Sequence, residues 1–370
     1  MGNCFDMFGG FAIFAVVKIH VFNPEHDIAL ASGSALFTAP RAGRMMRHAL
    51  GYLPALWASD GDVVVIDDVS IVEDCPCEIS SLFADVRFSR MSELSCIDLR
   101  DAEVEVWGWD KVVRRELLRA NPDFESLVPD DEQLEYIRQI SNRRFAAEML
   151  LPRLLEIDDR LVGNAEYVSD FSVFMKKMQM GPWVVKSPWS SSGRGVRFLE
   201  PPLTEQQAGW CRNVIDRQGG IMIEPIYNNV GDFAMEFFSD GCGQISYLGL
   251  SVFSTSDGGY QGNLVADESA KEEHVFRLVD KGLYHSVRER IIDVLAESVG
   301  IGYRGVFGVD MMIVEMPETG EKSIAPCVEL NLRRTMGHVA LALANNKKIH
   351  VPCMMNIAYS KGKYIFNLIS

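Results

Sequence analysis

The sequence predicts an α/β protein whose C-terminal part is α+β, with a small parallel α/β domain first and a larger unit of antiparallel strands and helices after it. Three observations carry this. Strands and helices alternate from the N-terminus to about residue 120. The segment 305–337 reads as two long strands around a polar turn. The chain has 370 residues, enough for two or three packed units.

Composition places the chain among globular proteins, with 48% hydrophobic and 24% charged residues. Its formal net charge of −15 repels phosphate backbones and no long basic run offsets it, so a nucleic-acid partner is not expected. Eight cysteines are scattered, with one close pair, Cys75 and Cys77, and no second pair at zinc spacing. Cysteines inside apolar runs behave as small hydrophobes, which points to a reducing cytoplasm. The apolar run 8–17 is too short to span a bilayer, and no Lys or Arg precedes it as in a secretory leader. Residues 1–16 are expected to be a non-native or disordered extension, with translation starting near Val17; no membrane role is expected.

The first domain is expected over 17–125. Val16–Phe22 is a buried-type strand ending in Asn23-Pro24-Glu25-His26-Asp27, and polar residues at the carboxyl end of a first strand are where open α/β sheets bind ligands. The competing reading is a capped turn, since Asn23 and Asp27 are both good caps. Pro40 opens a helix to about Leu50, Val63–Ile66 is a second strand, and Val104–Trp107 a third. Trp107 is the better core candidate of the pair Trp107 and Trp109. A helix follows from Lys111 to Ala120, and Asn-Pro-Asp and Val-Pro-Asp mark the exit.

The second unit is expected over 126–370. Helical periodicity runs from Asp131 to Leu151. Pro182–Lys186 is a strand ending in a lysine, followed by a Ser-rich turn with Gly193 and Gly195. Thr204 and Gln207 have capping-box spacing, and Gly219 stops that helix. Ile221–Glu224, Asp232–Phe238 and Ile245–Phe253 are strands, Ser254–Asn263 a polar loop, and Leu283–Val299 an amphipathic helix. A final helix covers about Gly337 to Asn345.

The hairpin carries the chemistry. With its turn centred between Thr319 and Gly320, Asp310 lies opposite Glu329, and Asn331 shares their face opposite Gly308. Two carboxylates and an amide oxygen form a hard oxygen site suited to Mg²⁺, with Mn²⁺ as its substitute. Like charges set opposite each other otherwise destabilise a sheet. The competing reading is a solvated face whose acids never meet, since a slip of one residue sends Glu329 to the other side. Lys186 with the small-residue loop after it offers a cation and free N–H groups for polyphosphate. Alone that loop also reads as a surface turn.

The order of these parts resembles the ATP-grasp superfamily: lysine strand, Ser/Gly loop, helix, strand ending in Glu224, acid at Asp232, then Asp310 and Glu329-x-Asn331-x-Arg333. The likeness runs from about Arg143 to Leu343, and its last motif is similar to the E-x-N-x-R segment of carbamoyl phosphate synthetase and biotin carboxylase. It implies an ATP-grasp domain of two lobes, roughly 140–226 and 227–360. It also implies that Lys186 contacts ATP phosphate or adenine and that the loop Ser190, Ser191, Ser192, Gly193, Arg194 and Gly195 closes over the phosphates. Glu224 and Ile226 would form the adenine hinge, and Asp232, shorter than the usual Glu, would meet the ribose. Asp310, Glu329 and Asn331 would hold Mg²⁺. Arg333, Lys186 and Arg334 would be the catalytic cations, and either Arg143 or Arg144 an earlier phosphate contact.

The activity implied is that of an ADP-forming carboxylate–amine or carboxylate–thiol ligase, acting on small-molecule or peptide substrates and compatible with a homodimer. The alternatives are a small-molecule kinase on the same nucleotide site and a non-catalytic nucleotide-binding regulator. Substrate candidates are Asn23, Glu25, His26, Asp27, Thr38, Arg41, Trp109, Asp110, Tyr260, Gln261, Gly262, Asn263, Arg334 and His338. For each arginine, ordinary surface ion pairing is the competing role.

Overall fold

In the computed structural model, which describes residues 16–190, 193, 195–256 and 259–369, the chain forms three sheets. The expected N-terminal extension therefore lies, but for Val16, outside the described residues.

The first sheet is parallel, with β1 (Val17–Val21), β2 (Val63–Val65), β3 (Arg87–Ser89) and β4 (Ala102–Val106) in the order β3-β2-β1-β4. All three valines of β2 are buried, as a strand covered on both faces requires. Helices Arg41–Leu50 and Lys111–Ala120 form where expected, the second capped by Asp110, which accepts from the amides of Val112 and Val113. Trp107 is buried, with its ring edge-on to Phe22 at 5.0 Å. β3 is too short to announce itself by alternation.

The second sheet is antiparallel: β5 (Glu166–Val168), β6 (Trp183–Lys186), β7 (Val196–Leu199) and β8 (Ile221–Pro225) in the order β5-β8-β6-β7. Helices Phe171–Met178 and Glu205–Gln218 cover one face through Phe174, Met178, Cys211 and Ile215. Both arms of the Thr204–Gln207 capping box are made, and Gly219 ends the helix at φ 82°. The opposite face carries Val184, Lys186 and Glu224, since Val184 pairs with Glu224 and Lys186 follows two residues on.

The third sheet has seven strands: β9 (Asn229–Cys242), β10 (Ile245–Ser256), β11 (Gly259–Val265), β12 (Ile301–Glu315), β13 (Lys322–Asn331), β14 (Cys353–Ser360) and β15 (Lys363–Ile369). Their order is β13-β12-β9-β10-β11-β14-β15. Period-2 alternation divides β9 and β12 sharply. Phe233, Met235, Phe237, Phe307, Val309, Met311 and Ile313 enter the largest core. Asp232, Ala234, Glu236, Gly308 and Asp310 point the other way.

Several expectations need correction. The stretch 254–263, read as a loop, is mostly a β10/β11 pairing with Phe253 opposite Asn263. Its Ser, Thr and Gly residues hid the paired ends of two interior strands. The helix expected over 131–151 breaks at Ser141-Asn142: Asn142 caps a new start by accepting from Arg144 N at 2.9 Å. That second segment carries a π-type turn over Ala146–Leu150 just before Pro152, whose ring cannot continue regular α-helical bonding. Both segments pack on the seven-stranded sheet through Leu134, Ile137, Leu150 and Leu154, so the smaller lobe begins only near β5, later than residue 140. The β14/β15 hairpin was not foreseen. With helix Met336–Ala344 it packs on the first domain, joining Met355, Phe366 and Val339 to Phe22, Leu50 and Tyr52. This contact holds the parallel sheet over the polar face of β9 and β12.

Candidate active site

Asp310 pairs with Glu329, and Gly308 with Asn331, as the sequence predicts. The route differs from the expectation. Glu315 pairs with Lys322, so the turn is centred between Glu318 and Thr319, one residue earlier than a regular hairpin through Asp310 and Glu329 would place it. The ladder then shifts between Met312–Ala325 and Asp310–Glu329, where β13 carries Pro326 and Cys327. Pro326 has no N–H to give the ladder, and an irregularity is where a strand tolerates it. Without that shift Asp310 would face Cys327.

The two acids sit in a largely closed environment. Burial and the neighbouring Glu329 carboxylate push the Asp310 carboxyl up, against Arg333 and the bond from Asn331. Asn331 Nδ2 donates to Asp310 Oδ2 at 3.0 Å, while its Oδ1 accepts from Arg333 at 2.9 Å. Arg143 donates to Glu329 Oε1 at 2.6 Å. The same guanidinium donates to Ser187 O at 2.6 Å and Ser190 Oγ at 2.8 Å, so Arg143 spans the seven-stranded sheet and the start of the Ser/Gly loop. Of the two adjacent arginines it is the inward one. Arg144 pairs with Glu148 at 2.8 Å and lies over Tyr167.

Lys186 and Glu224 form a buried pair at 2.6 Å on the smaller lobe. Arg143, Met222, Glu224, Cys327 and Glu329 line one narrow cleft between β8 and β13. Gly195 packs so closely on Ser190 that a Cβ there would lie 2.2 Å from its hydroxyl oxygen, and Gly193 holds φ 70°. Ser191, Ser192 and Arg194 lie outside the described residues. Ile226 is 41% exposed just past β8. Asp232 accepts from Asn229 at 2.7 Å and Thr255 at 2.6 Å, two rows from Asp310 along the sheet.

The first domain contributes unevenly. Asp27 reaches the site and accepts from Arg333 Nε at 2.9 Å. Asn23 donates to Gly108 O at 2.8 Å and Asp110 at 3.0 Å, and His26 packs on Gly108 with Nδ1 3.4 Å from Asp110. These two lock the ends of β1 and β4 together, and neither Asn23 nor Asp27 plays the capping role weighed for the turn, because the helix that follows has Glu25 at its N-cap and no side-chain cap. Glu25 is buried against Arg47 at 2.9 Å. Arg41 is exposed at the start of its helix. Arg334 turns away from Arg333 to meet Glu105 at 3.2 Å, and lies over the Trp57 ring at 4.6 Å. Tyr260 donates to Asn263, which donates to Ser251 at 2.8 Å.

Glu236 was missed. It is buried beside Gly308 and Gly337, either of whose Cβ would collide with its carboxyl. Thr335 Oγ1 donates to its Oε1 at 2.8 Å, and among the described residues Oε2 has no hydrogen-bond partner. Burial pushes this carboxyl up to about 8. His338 stands 3.1 Å away, its imidazole held neutral by burial and by the Arg334 charge. The signal available in the sequence was one acid inside an alternating apolar run, Ala-Met-Glu-Phe-Phe.

Among the described residues no three His, Cys, Asp or Glu side chains converge to hold a metal. Asp310 and Glu329 nonetheless fit a hard cation, because two carboxylates face each other in a partly buried place with too little positive charge to suit both. Asn331 could add its oxygen only with its amide turned over from the assigned orientation.

No protein-family model and no curated protein matches the chain. Solved structures do align. N5-carboxyaminoimidazole synthetase from Staphylococcus aureus, complexed with ADP, aligns at 14% identity over 94% of this chain and 83% of that one, with a TM-score of 0.49. A biotin carboxylase from Campylobacter jejuni aligns at 12% over 95% and 73%, also at 0.49. The biotin carboxylase domain of 2-oxoglutarate carboxylase from Hydrogenobacter thermophilus aligns at 12% over 90% and 71%, at 0.47. All three TM-scores fall below 0.5. The parallel first sheet followed by two antiparallel sheets, with a cleft lined from β8 and β13, is the α/β-then-α+β layout expected from the sequence.

Proposed function

We propose that this protein is an ATP- and Mg²⁺-dependent, ADP-forming ligase that activates a carboxylate as an acyl phosphate for attack by an amine or a similar nucleophile. The observation that carries this is that Arg143 lines one cleft with Glu329 and Glu224 and donates to Glu329, where Glu329 is the cross-strand partner of Asp310 and Glu224 the ion-pair partner of Lys186.

In this reading Lys186 and the loop from Ser190 to Gly195 grip the nucleotide phosphates, and Glu224 and Ile226 meet adenine. Asp310 and Glu329, joined by Asn331, would hold Mg²⁺. The ion supplies neutralisation and alignment of the phosphate oxygens. Arg143 steers the loop toward Glu329, and Arg333, oriented by Asp27 and Asn331, faces the reacting carboxylate. The carboxylate oxygen bonds to the γ-phosphorus as the β,γ-bridging bond breaks and ADP leaves. The nucleophile then bonds to the acyl carbon, phosphate departs, and the nucleophile's proton is lost. No side chain forms a covalent intermediate.

Calorimetry with ATP and Mg²⁺ on the wild type and on Glu329→Gln tests the nucleotide site: binding should need Mg²⁺ and weaken in the variant. ADP release should then require an acid and an amine together. Phosphate retained on an intact hydroxyl product would establish the kinase instead, and tight binding without release would establish a regulator.

A further inference from the structure

Beyond the nucleotide cleft, a second opening of about 260 Å³ lies between the free edge of β4 and the N-terminal half of β12. It is on the same sheet face as Asp310, but further along, past Arg334. Trp107, Trp109, Tyr303 and Val306 supply its apolar walls, and Arg334 lies on it. It is smaller than the roughly 300–1,000 Å³ of drug-sized sites, which suits a ligand of amino-acid size.

Its charges do not cancel. Lys18, Arg304 and Arg334 line it against only Glu103 and Glu105. Glu105 serves two of these cations, Lys18 at 2.6 Å and Arg334 at 3.2 Å, while Glu103 serves Arg304 at 3.2 Å. One positive charge is therefore left over, on a chain whose net charge is −15. The excess falls at Arg334, whose side chain is 13% exposed against 39% for Lys18 and 62% for Arg304. Among the described residues the Arg334 guanidinium makes one side-chain hydrogen bond, to Glu105, and stacks on Trp57. Its remaining N–H donors are held in a fixed plane beside aromatic walls. A planar carboxylate answers both the charge and the fork.

We infer that this cleft binds a small aromatic or apolar carboxylate, with Arg334 as its anchor. The inference does not depend on the ligase reading. The ligand can be the acid that a ligase would activate or a separate effector, and the test separates the two.

The full chain is titrated by calorimetry, without nucleotide, with phenylacetate, indole-3-acetate and L-phenylalanine, and with 2-phenylethanol as a neutral counterpart. At least one acid should bind, with the alcohol at least tenfold weaker. Arg334→Gln should weaken acid binding at least tenfold. Because Arg334 also ties the first domain to the sheet, Val306→Trp is made in parallel to fill the cleft without touching the arginine, and it too should abolish binding. Glu329→Gln should bind the acid as the wild type does. The inference is overturned if no acid binds folded wild type, if the alcohol binds equally, if both cleft variants bind normally, or if Glu329→Gln loses the acid. If an acid that binds also drives ADP release with an amine present, it is the substrate. If it binds and drives none, it is an effector. Failure of ADP release with every acid and amine would sink the ligase reading and leave the cleft standing.

Discussion

Arg333 donates from Nε to Asp27 at 2.9 Å, joining the short helix after the first strand (His26–Ser32) to the end of β13 across 306 positions of sequence. Both side chains are mostly buried, at 15% and 17% exposed, so the bond also fixes where the guanidinium points.

Asp27→Asn should therefore leave the fold and ATP affinity intact while loosening Arg333. The KM for the activated acid should rise several-fold or more, with the ATP dissociation constant unchanged. An unchanged KM would make this contact purely structural. Asp27→Ala leaves Arg333 without its partner and should cost about 1–3 kcal/mol of stability, read by denaturant titration.

Arg143 contacts Glu329 and Ser190 together, so its removal should affect both lobes. Arg143→Met should weaken ATP·Mg²⁺ binding about tenfold, whereas Arg144→Met, which cuts the exposed Glu148 pair and the contact with the Tyr167 ring, should leave it unchanged. Equal effects of the two would contradict the inward assignment of Arg143.

Lys186→Ala removes the phosphate contact proposed for this lysine and also strands Glu224, whose side chain is 17% exposed. ATP affinity should fall by about 1.5–3 kcal/mol, the scale of a hydrogen bond to a charged group. Adding Glu224→Gln should recover part of the lost stability but not the ATP affinity. Recovery of both would mean that the lysine serves only its ion pair.

Glu236 makes a pH-dependent contribution with a definite sign. Its folded value, about 8, lies above the ordinary 4.5, so the folded state holds a proton that the unfolded state gives up between those values. The stabilisation is complete below about pH 4.5 and is lost as pH rises toward 8. The slope approaches about 1.4 kcal/mol per pH unit in that window. Glu236→Gln should flatten this slope in melting experiments from pH 5 to 8, and a slope identical to wild type would mean that Glu236 is ionised in the fold. Gly337→Ala, whose Cβ would sit 1.9 Å from the Glu236 carboxyl, should destabilise at every pH.

Local residue chemistry by itself determined much of this protein. Alternation in β9 and β12 marked which side chains face the core. The Thr204–Gln207 and Asp110 caps and the Gly219 stop were legible because capping and left-handed turns are decided within a few residues. The pairing of Asp310 with Glu329 was legible too, but only the tertiary structure supplied the ladder shift at Pro326-Cys327 that produces it. It also chose Arg143 over Arg144, assigned 131–155 to the larger lobe, and placed the β14/β15 hairpin on the first domain. Glu236, Asp27's partner and the Arg334 cleft were decided there as well. All of these depend on residues distant in sequence meeting across sheets and domains. Burial and ion pairing act through space, and short-range periodicity carries no record of which distant side chain will be the neighbour.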